Sequence, residues 1–355
     1  MEMVSHSFSK IHINQMFWST CLFEQVCIFK GKLMFKKTLA AVAVGMVAFG
    51  AQAAEFKIGN DLAFQANFDL LAEIANKKES VGFSNNLLGA GQIQLRATKT
   101  LSPDLSVTGQ IEVDFDPSVN NAPALADDSR IGLSSKSMGT FTVGQFDSFM
   151  EDNIAEILGF WGHAESGAYV AEPTTGNDGR HIHYVSPKMA GFFGVIGMNL
   201  STQTSNTEQS LGTSYVLGYD LNGLKVFFGQ SNLPKYTDVA GTLNTVKTAT
   251  GLSASYKFGD TTVAASGFTT KTLTALDTNY AGIAVSHVMG PFDFGVSFQN
   301  VTTNTSATVS TVANQWAAGV GYTVTKGTVI YFDVNSLGAS NNVGDFMVAG
   351  IKTTF

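Results

Sequence analysis

Residues 109–116 read GQIEVDFD, and the alternation in this stretch decides the fold class. Its apolar and polar side chains follow one another strictly, Ile111, Val113 and Phe115 alternating with Gln110, Glu112 and Asp114. A period of two places hydrocarbon on one face of a β-strand and carboxylates on the other. The same period recurs at residues 92–98 and 130–134. Many short alternating strands separated by turn residues indicate a sandwich or a barrel.

The spacing of the turns favours the barrel. Seven tight turns are predicted from their Gly, Pro, Asn, Asp and Ser residues, at residues 102–104, 137–139, 190–191, 222–223, 259–260, 290–291 and 326–327. Eight longer polar segments alternate with them, at residues 73–90, 117–129, 149–179, 201–213, 233–247, 273–278, 302–313 and 337–343. Short turns at one end and long loops at the other are typical of transmembrane barrels, with the turns periplasmic. The sequence therefore predicts an all-β, sixteen-stranded antiparallel transmembrane β-barrel.

The N-terminal region has the pattern of an export signal. Within residues 34–53, two lysines precede an apolar run at residues 39–49, and small residues follow it. This run is shorter than the about 20 apolar residues of a membrane-spanning helix, so it indicates a signal peptide. We therefore expect residues 1–33 to be an upstream extension outside the native precursor, residues 34–53 to be the signal, and residues 54–355 to form the barrel.

The composition of residues 54–355 excludes several classes of protein. This part of the chain has no cysteine, so it has neither a disulfide framework nor a thiolate metal site. It has 26 acidic and 16 basic residues, a net charge of −10. Nucleic acid is not expected as a partner of so acidic a chain. No motif for a cofactor is present, and none is expected.

Residues 54–355 as a whole resemble the general-diffusion porins of Gram-negative bacteria. The resemblance is carried by AEFK at residues 54–57, by SRIGLSSKSMGTFTVGQFDSF at 129–149, by HYVSPKMAGF at 183–192, and by a last strand that ends in Phe355. It implies a homotrimer in the outer membrane that passes small hydrophilic solutes and ions by passive diffusion. It also implies contact with membrane lipids and recognition of the last strand by the barrel-assembly machinery. The third long loop, residues 149–179, would fold into the barrel as a constriction.

The charged residues of such a constriction can be named from the same resemblance. Its basic side would be the only three arginines of the chain, on the second, fourth and sixth predicted strands: Arg96, Arg130 and Arg180. Its acidic side would come from the third loop, with Asp152, Glu156 and Glu165 as candidates. This loop lacks the Pro-Glu-Phe-Gly-Gly tip of enterobacterial members, and Gln65 stands where the family often has a lysine.

Two further acids, Glu112 and Asp114, are predicted to face the lumen from the third strand. If residues 102–104 form a tight hairpin, Glu112 is the diagonal neighbour of Arg96, close enough for the side chains to meet. Arg96 would then be partly neutralised within its own wall. Together with the net charge of −10, this favours weak cation selectivity.

Other functions remain open at this point. A sugar-selective channel would use a line of aromatic side chains, for which Phe141, Phe294 and Phe298 are candidates, although aromatic girdles at the membrane interfaces are expected in any such barrel and explain them better. An outer-membrane hydrolase would need a nucleophile and a base, but Ser286 and His287 are adjacent in a strand and point to opposite faces. His181 and His183 share a face and could bind a metal, but no third ligand is evident. The chain is therefore not expected to be an enzyme.

Overall fold

Antiparallel hairpins account for nearly all of the described chain. The computed structural model describes residues 54–58, 61–78, 83–115, 125–155, 157–159, 179–200, 211–232, 246–272, 277–304, 310–336, 338 and 345–354. The strands in these ranges are β1 (Ala54–Ile58), β2 (Leu62–Lys78), β3 (Phe83–Thr100), β4 (Leu105–Phe115), β5 (Leu125–Ser135), β6 (Gly139–Phe146), β7 (Gly179–Val185), β8 (Phe192–Asn199), β9 (Gly212–Leu221), β10 (Leu224–Asn232), β11 (Val246–Phe258), β12 (Thr261–Thr272), β13 (Asp277–Met289), β14 (Phe292–Asn304), β15 (Ser310–Thr325), β16 (Thr328–Ser336) and β17 (Phe346–Thr354). No helix among the described residues is long and apolar enough to cross a membrane. The predicted boundaries at residues 33 and 53 lie outside the described residues and stay predictions.

The sheet closes on itself. Each strand from β2 to β17 pairs with its neighbour in the chain, and β17 returns to β2 in a ladder from Thr354↔Asp69 to Phe346↔Lys77. Because β3 occupies the other edge of β2, the short β1 must use the same edge as β17, from Ala54↔Ala66 to Ile58↔Leu62. β1 and β17 therefore share one position in the barrel. This confirms the sixteen predicted strands, and closure leaves no long edge of unpaired backbone.

Burial along the strands is inverted relative to a soluble protein. On β4, Ile111 is 53% exposed, whereas Gln110 is 4% and Glu112 is 9% exposed. The apolar side chains thus form the outer surface and the polar side chains face the interior. Alternation of this kind is the rule in barrels whose outer face meets lipid and whose lumen holds water.

All seven predicted tight turns join strands in the structure. The clearest is Asn222–Gly223 between β9 and β10, where both residues have positive φ, 52° and 83°. This pair of left-handed residues matches the type I′ hairpin, whose twist fits that of the flanking strands. Gly259, Gly290 and Gly327 also have positive φ at their turns.

The predicted boundaries of the long loops are less accurate. The first loop was predicted at residues 73–90, but β2 continues to Lys78, β3 starts at Phe83, and Asn76 pairs with Asn85. Likewise β5 begins at Leu125, inside the predicted second loop. Polar residues caused both errors, because a strand that continues beyond the hydrocarbon layer does not need apolar residues on its outer face.

The third long loop begins by folding back against the inner wall. Its residues form two short helical turns, Glu151–Ala155 and Ile157–Gly159. Ser253 Oγ donates a hydrogen bond to the carbonyl oxygen of Asn153 (2.6 Å), and Ser266 Oγ donates to that of Ile154 (2.8 Å). The side chain of Ile154 is fully buried among Phe193, Val195, Val216 and Phe227 of the wall. The predicted infolding is therefore confirmed for the part of this loop that the structure describes.

Candidate functional site

A row of polar side chains crosses the inner wall at the level of the predicted arginines. The ladders place Arg96 of β3 opposite Gln110 of β4, and Gln110 opposite Arg130 of β5. On the same strands Leu95, Ile111 and Ile131 are exposed on the outer surface. By strand alternation, Arg96 and Arg130 therefore face the lumen.

Gln110 connects these two arginines. Its side-chain oxygen Oε1 accepts hydrogen bonds from Arg96 Nε (3.0 Å) and Nη2 (2.6 Å). Its Nε2 donates to Asp128 Oδ2 at 2.8 Å, and the same carboxylate oxygen forms an ion pair with Arg130 Nη2 at 3.1 Å. A continuous chain of hydrogen bonds and one ion pair thus holds four inward-facing groups of β3, β4 and β5.

Arg130 has two further neighbours that hold its position. Its guanidinium lies 5.6 Å from the centre of the Phe146 ring, within cation–π range. Its side chain starts directly beside Gly144, where an added Cβ would stand 2.5 Å from Arg130 Cα and 2.8 Å from Arg130 Cβ. Because glycine has no side chain, residue 144 leaves room for Arg130.

Glu112 does not pair with Arg96, contrary to the prediction. Its Oε1 accepts from Gln92 Nε2 (2.6 Å) and its Oε2 accepts from Gln94 Nε2 (2.5 Å). The register is the predicted one, with Glu112 diagonal to Arg96, but each side chain bonds to a residue other than its diagonal neighbour: Glu112 to Gln94 directly across from it, and Arg96 to Gln110 directly across from it. Glu112 faces the lumen as predicted, and its hydrogen-bond partners here are neutral amides. For Asp114 the structure describes the backbone, which pairs with Gln92 and Leu125.

Arg180 differs from the prediction. It lies in β7, where His181 and His183 are buried and Tyr184 is 39% exposed. The buried histidines mark the inner face, so alternation places the exposed Arg180 on the outer face with Ile182 and Tyr184. The structure therefore brings Arg96 and Arg130 together on the inner wall and does not bring Arg180 to them. The role of these arginines in a constriction stays a prediction.

The acidic side of the predicted constriction is described at one residue, Asp152. Its side chain is exposed on the infolded loop. Partial burial of the carboxyl by neighbouring protein atoms raises its pKa, and the Arg130 guanidinium acts in the opposite direction. Asp152 therefore lies within electrostatic reach of Arg130. Glu156 and Glu165 lie outside the described residues.

The two histidines form part of the wall beside Arg130. The ring of Phe146 lies 5.4 Å from that of His181 and 4.9 Å from that of His183. No group of three or more possible metal ligands occurs among the described residues. His287, the base considered for a hydrolase, has its Nδ1 2.9 Å from Thr261 Oγ1.

The aromatic candidates for a sugar-binding line all lie on the outside of the barrel. Phe141, Phe294 and Phe298 are 46%, 40% and 45% exposed, while Phe146, Ser297 and Gln299, on the opposite faces of the same strands, are buried. They contribute to the aromatic outer surface that a membrane barrel presents to lipid. These three residues therefore do not line the lumen, and they give no support to a sugar-selective channel.

Sequence alone missed Gln110, Asp128 and Phe146. Gln110 is uncharged and was therefore not considered as a site residue. Asp128 was placed in the predicted loop at residues 117–129 and not in a strand. The available signal was the phase of the alternation, since Gln110 lies two residues before Glu112 on the inner face of β4 and Asp128 lies two residues before Arg130 on β5.

Comparisons with known proteins agree with this fold. The sequence model of a family described as Gram-negative porin matches residues 38–342. Comparison with curated protein sequences returned no match. Among solved structures, OmpF of Salmonella typhi in complex with daunomycin has a TM-score of 0.68 at 16% identity, over 85% of this chain and 100% of that chain. An anion-selective porin of Comamonas acidovorans has a TM-score of 0.65 at 17% identity, over 83% of this chain and 99% of that one. The trimer form of OmpT of Vibrio cholerae has a TM-score of 0.61 at 12% identity, over 83% and 99%.

Proposed function

Because the chain belongs to the Gram-negative porin family, whose members are outer-membrane channels for passive diffusion of small hydrophilic solutes, we propose that its channel is weakly cation-selective. The observation that carries the proposal is the charge composition of the constriction. Two arginines, Arg96 and Arg130, are accompanied by three carboxylates, Glu112, Asp128 and Asp152. Asp128 already compensates one of the arginines.

The physical basis is the field of fixed charges in a narrow aqueous path. Charges held on low-dielectric walls raise the local concentration of counter-ions, and mixed charge of both signs reduces the net preference. A small excess of carboxylates therefore gives a preference for cations that remains weak. The net charge of −10 over residues 54–355 acts in the same direction.

We further propose that Asp152, Glu156 and Glu165 of the infolded loop form the acidic side that faces Arg96 and Arg130. The support is the electrostatic effect of Arg130 on Asp152 and the contacts of Asn153 and Leu158 with the wall. Opposed charges would create a transverse field that orients dipolar solutes as they pass.

The experiment is planar-bilayer recording of the purified protein in a tenfold KCl gradient. We expect a reversal potential of cationic sign, well below the roughly 59 mV that an ideally selective channel gives for a tenfold gradient of a monovalent ion. A reversal potential of anionic sign would refute the selectivity. Liposome swelling with sugars of increasing size tests diffusion separately, and uptake rates should fall smoothly with size and not saturate.

Assembly into a homotrimer is also proposed, on the family resemblance and on the trimer form described for OmpT of Vibrio cholerae. Cross-linking of the detergent-solubilised protein should give a ladder that ends at three chains. The terminal Phe355 and the outer surface imply two other partners, the barrel-assembly machinery and the membrane lipids. Deletion of Phe355 should lower the amount of folded protein in the outer membrane while the total amount of synthesised chain stays similar.

A further inference from the structure

Gln110 sits between a group that only donates hydrogen bonds and a group that only accepts them. The guanidinium of Arg96 has donors and no acceptor, and the ionised carboxylate of Asp128 has acceptors and no donor. Gln110 presents its oxygen to Arg96 and its Nε2 to Asp128. The amide of Gln110 satisfies both neighbours at once, whereas an ionised glutamate at this position could not donate and a lysine or arginine could not accept.

This junction is closed to water. Gln110 is 4% exposed and Asp128 is 8% exposed, so a solvent molecule does not readily replace a missing bond. Removing one partner of a buried polar pair leaves the other unsatisfied, which costs more than the bond itself contributes. Arg96 therefore depends on Gln110 for its position more than it would on an exposed residue, and Arg130 depends on it indirectly, through Asp128.

We propose that Gln110 is a positioning residue that determines the ion preference of this channel. It holds the Arg96 guanidinium and, through Asp128, the Arg130 guanidinium in fixed places on the wall. Without it, Arg96 would lose the acceptor that holds its guanidinium in one place, and the positive charge presented to passing ions at that place would weaken. The residue itself is uncharged, so a count of charges along the wall does not reveal this role.

Two substitutions at this one position differ in their expected effect on Arg96, because one removes its acceptor and the other keeps it. Gln110→Met keeps the length of the side chain and removes both hydrogen-bonding functions. Gln110→Glu keeps an acceptor for Arg96 and replaces the donor to Asp128 with a like charge. Thr108→Val is the matched control, because it removes a wall hydrogen bond one inward position away, between Thr108 Oγ1 and Thr98 Oγ1 (3.1 Å), and leaves the hydrogen bonds of Arg96 and Gln110 in place.

The first measurement is the rate at which phenylglyoxal, an arginine-specific reagent, modifies Arg96 in the folded protein. The modified arginine is identified by mass spectrometry of peptides from the labelled protein. We expect Gln110→Met to raise this rate roughly tenfold, the factor that corresponds to one lost charge-assisted hydrogen bond. Gln110→Glu and Thr108→Val should leave it near the wild-type rate. Equal rates in the Met and Glu variants would overturn the proposal. If the Met variant does not assemble, the Glu variant is tested alone. A modification rate of Arg96 in that variant as high as the rate in wild-type protein denatured in urea would then overturn the proposal.

The second measurement is the reversal potential, and this readout alone rests on the proposed function. Gln110→Met should shift it toward cations, in the same direction as Arg96→Gln, although no charge is changed. In the double variant the shift should not exceed that of Arg96→Gln alone, since both changes act through the same group. Additive shifts would refute the coupling. An anionic reversal potential of the wild type would instead refute the selectivity proposal and leave the reactivity result standing.

Discussion

At the scale of single residues, the face on which an arginine lies decides whether it can act on a passing ion. Arg130 faces the lumen, whereas Arg180 lies on the outer face of β7. We predict that Arg130→Glu shifts the reversal potential toward cations several-fold more than Arg180→Glu. The control is Lys271→Glu, because Lys271 is exposed beside the buried, inward-facing Thr270. Arg180→Glu should resemble this control, and a shift as large as that of Arg130→Glu would place Arg180 in the pore.

Asp104 gives a prediction on pH at the turn between β3 and β4. Hydrogen bonds from the side chains of Ser135 (2.7 Å) and Ser137 (2.9 Å) hold the pKa of its carboxyl below the ordinary value of 3.8. The ionised group therefore stabilises the folded state above pH 3.8, and the contribution is lost as the pH falls through the lowered value. We expect the thermal midpoint of the wild type to fall more steeply than that of Asp104→Asn between pH 5 and pH 3. Parallel curves would contradict the assignment.

The inner wall also shows what a sequence reveals about a site. The inner face of Arg96, Arg130 and Glu112 could be predicted because the alternating residues Leu95, Ile111 and Ile131 are apolar and fix the phase of these strands. Arg180 could not be placed, because both faces of β7 carry polar residues and a phase error of one residue exchanges the faces. Gln110 could not be recognised, because its role depends on what lies opposite it in the neighbouring strands and not on its own charge.

At the scale of elements, the infolded loop depends on glycines in the wall that receives it. A Cβ added at Gly251 would stand 2.6 Å from both Ile154 Cγ2 and Phe268 Cδ2. Ile154 is β-branched and fully buried, so it cannot turn away easily. We predict that Gly251→Ala destabilises the packing of Ile154 and the infolded loop against the wall by about 1–3 kcal/mol, the usual cost of overpacking. Single-channel recordings should then show a noisier open current than the wild type.

Gly267 provides the control for this prediction. It lies on β12 opposite Leu252, the residue after Gly251, and a Cβ added there would meet nothing within 4 Å. Gly267→Ala should therefore leave the open current unchanged. Replacing Ile154 by Ala in the Gly251→Ala background should relieve the contact and restore a quiet current in part. An equal effect of both glycine substitutions would mean that strand flexibility, and not the packing of the loop against the wall, causes the noise in the open current.

The elements differ in how far their sequence determines them. Tight turns were located correctly because positive φ and chain reversal require particular residues, as at Asn222–Gly223. The ends of the long loops were not, because polar residues suit both a loop and a strand that rises into water, as at Asn76↔Asn85. The short β1 was missed for another reason: its place end to end with β17 is a property of the closed ring, which no local pattern encodes.

In the whole molecule, the closed barrel makes passing ions move close to the charged residues of the wall, so that these charges set the ion preference of the channel. The field of Arg96, Arg130, Glu112, Asp128 and Asp152 reaches ions only as far as screening permits. The Debye length is about 30 Å at 0.01 M salt and about 3 Å at 1 M. We therefore predict that cation preference is clear in dilute KCl and nearly vanishes near 1 M. The measurement is the reversal potential at a constant tenfold gradient over a series of absolute concentrations.

The uptake of a neutral sugar is the internal control for this prediction, because its rate should not depend on salt. A cation preference that stayed constant across the series would mean that ions are sorted by the width of the path and not by the field of the wall. Since Gln110→Met is expected to weaken the positive part of that field, its cation preference should exceed that of the wild type in dilute salt. The two should converge near 1 M, because screening removes the contribution of Arg96 in both proteins.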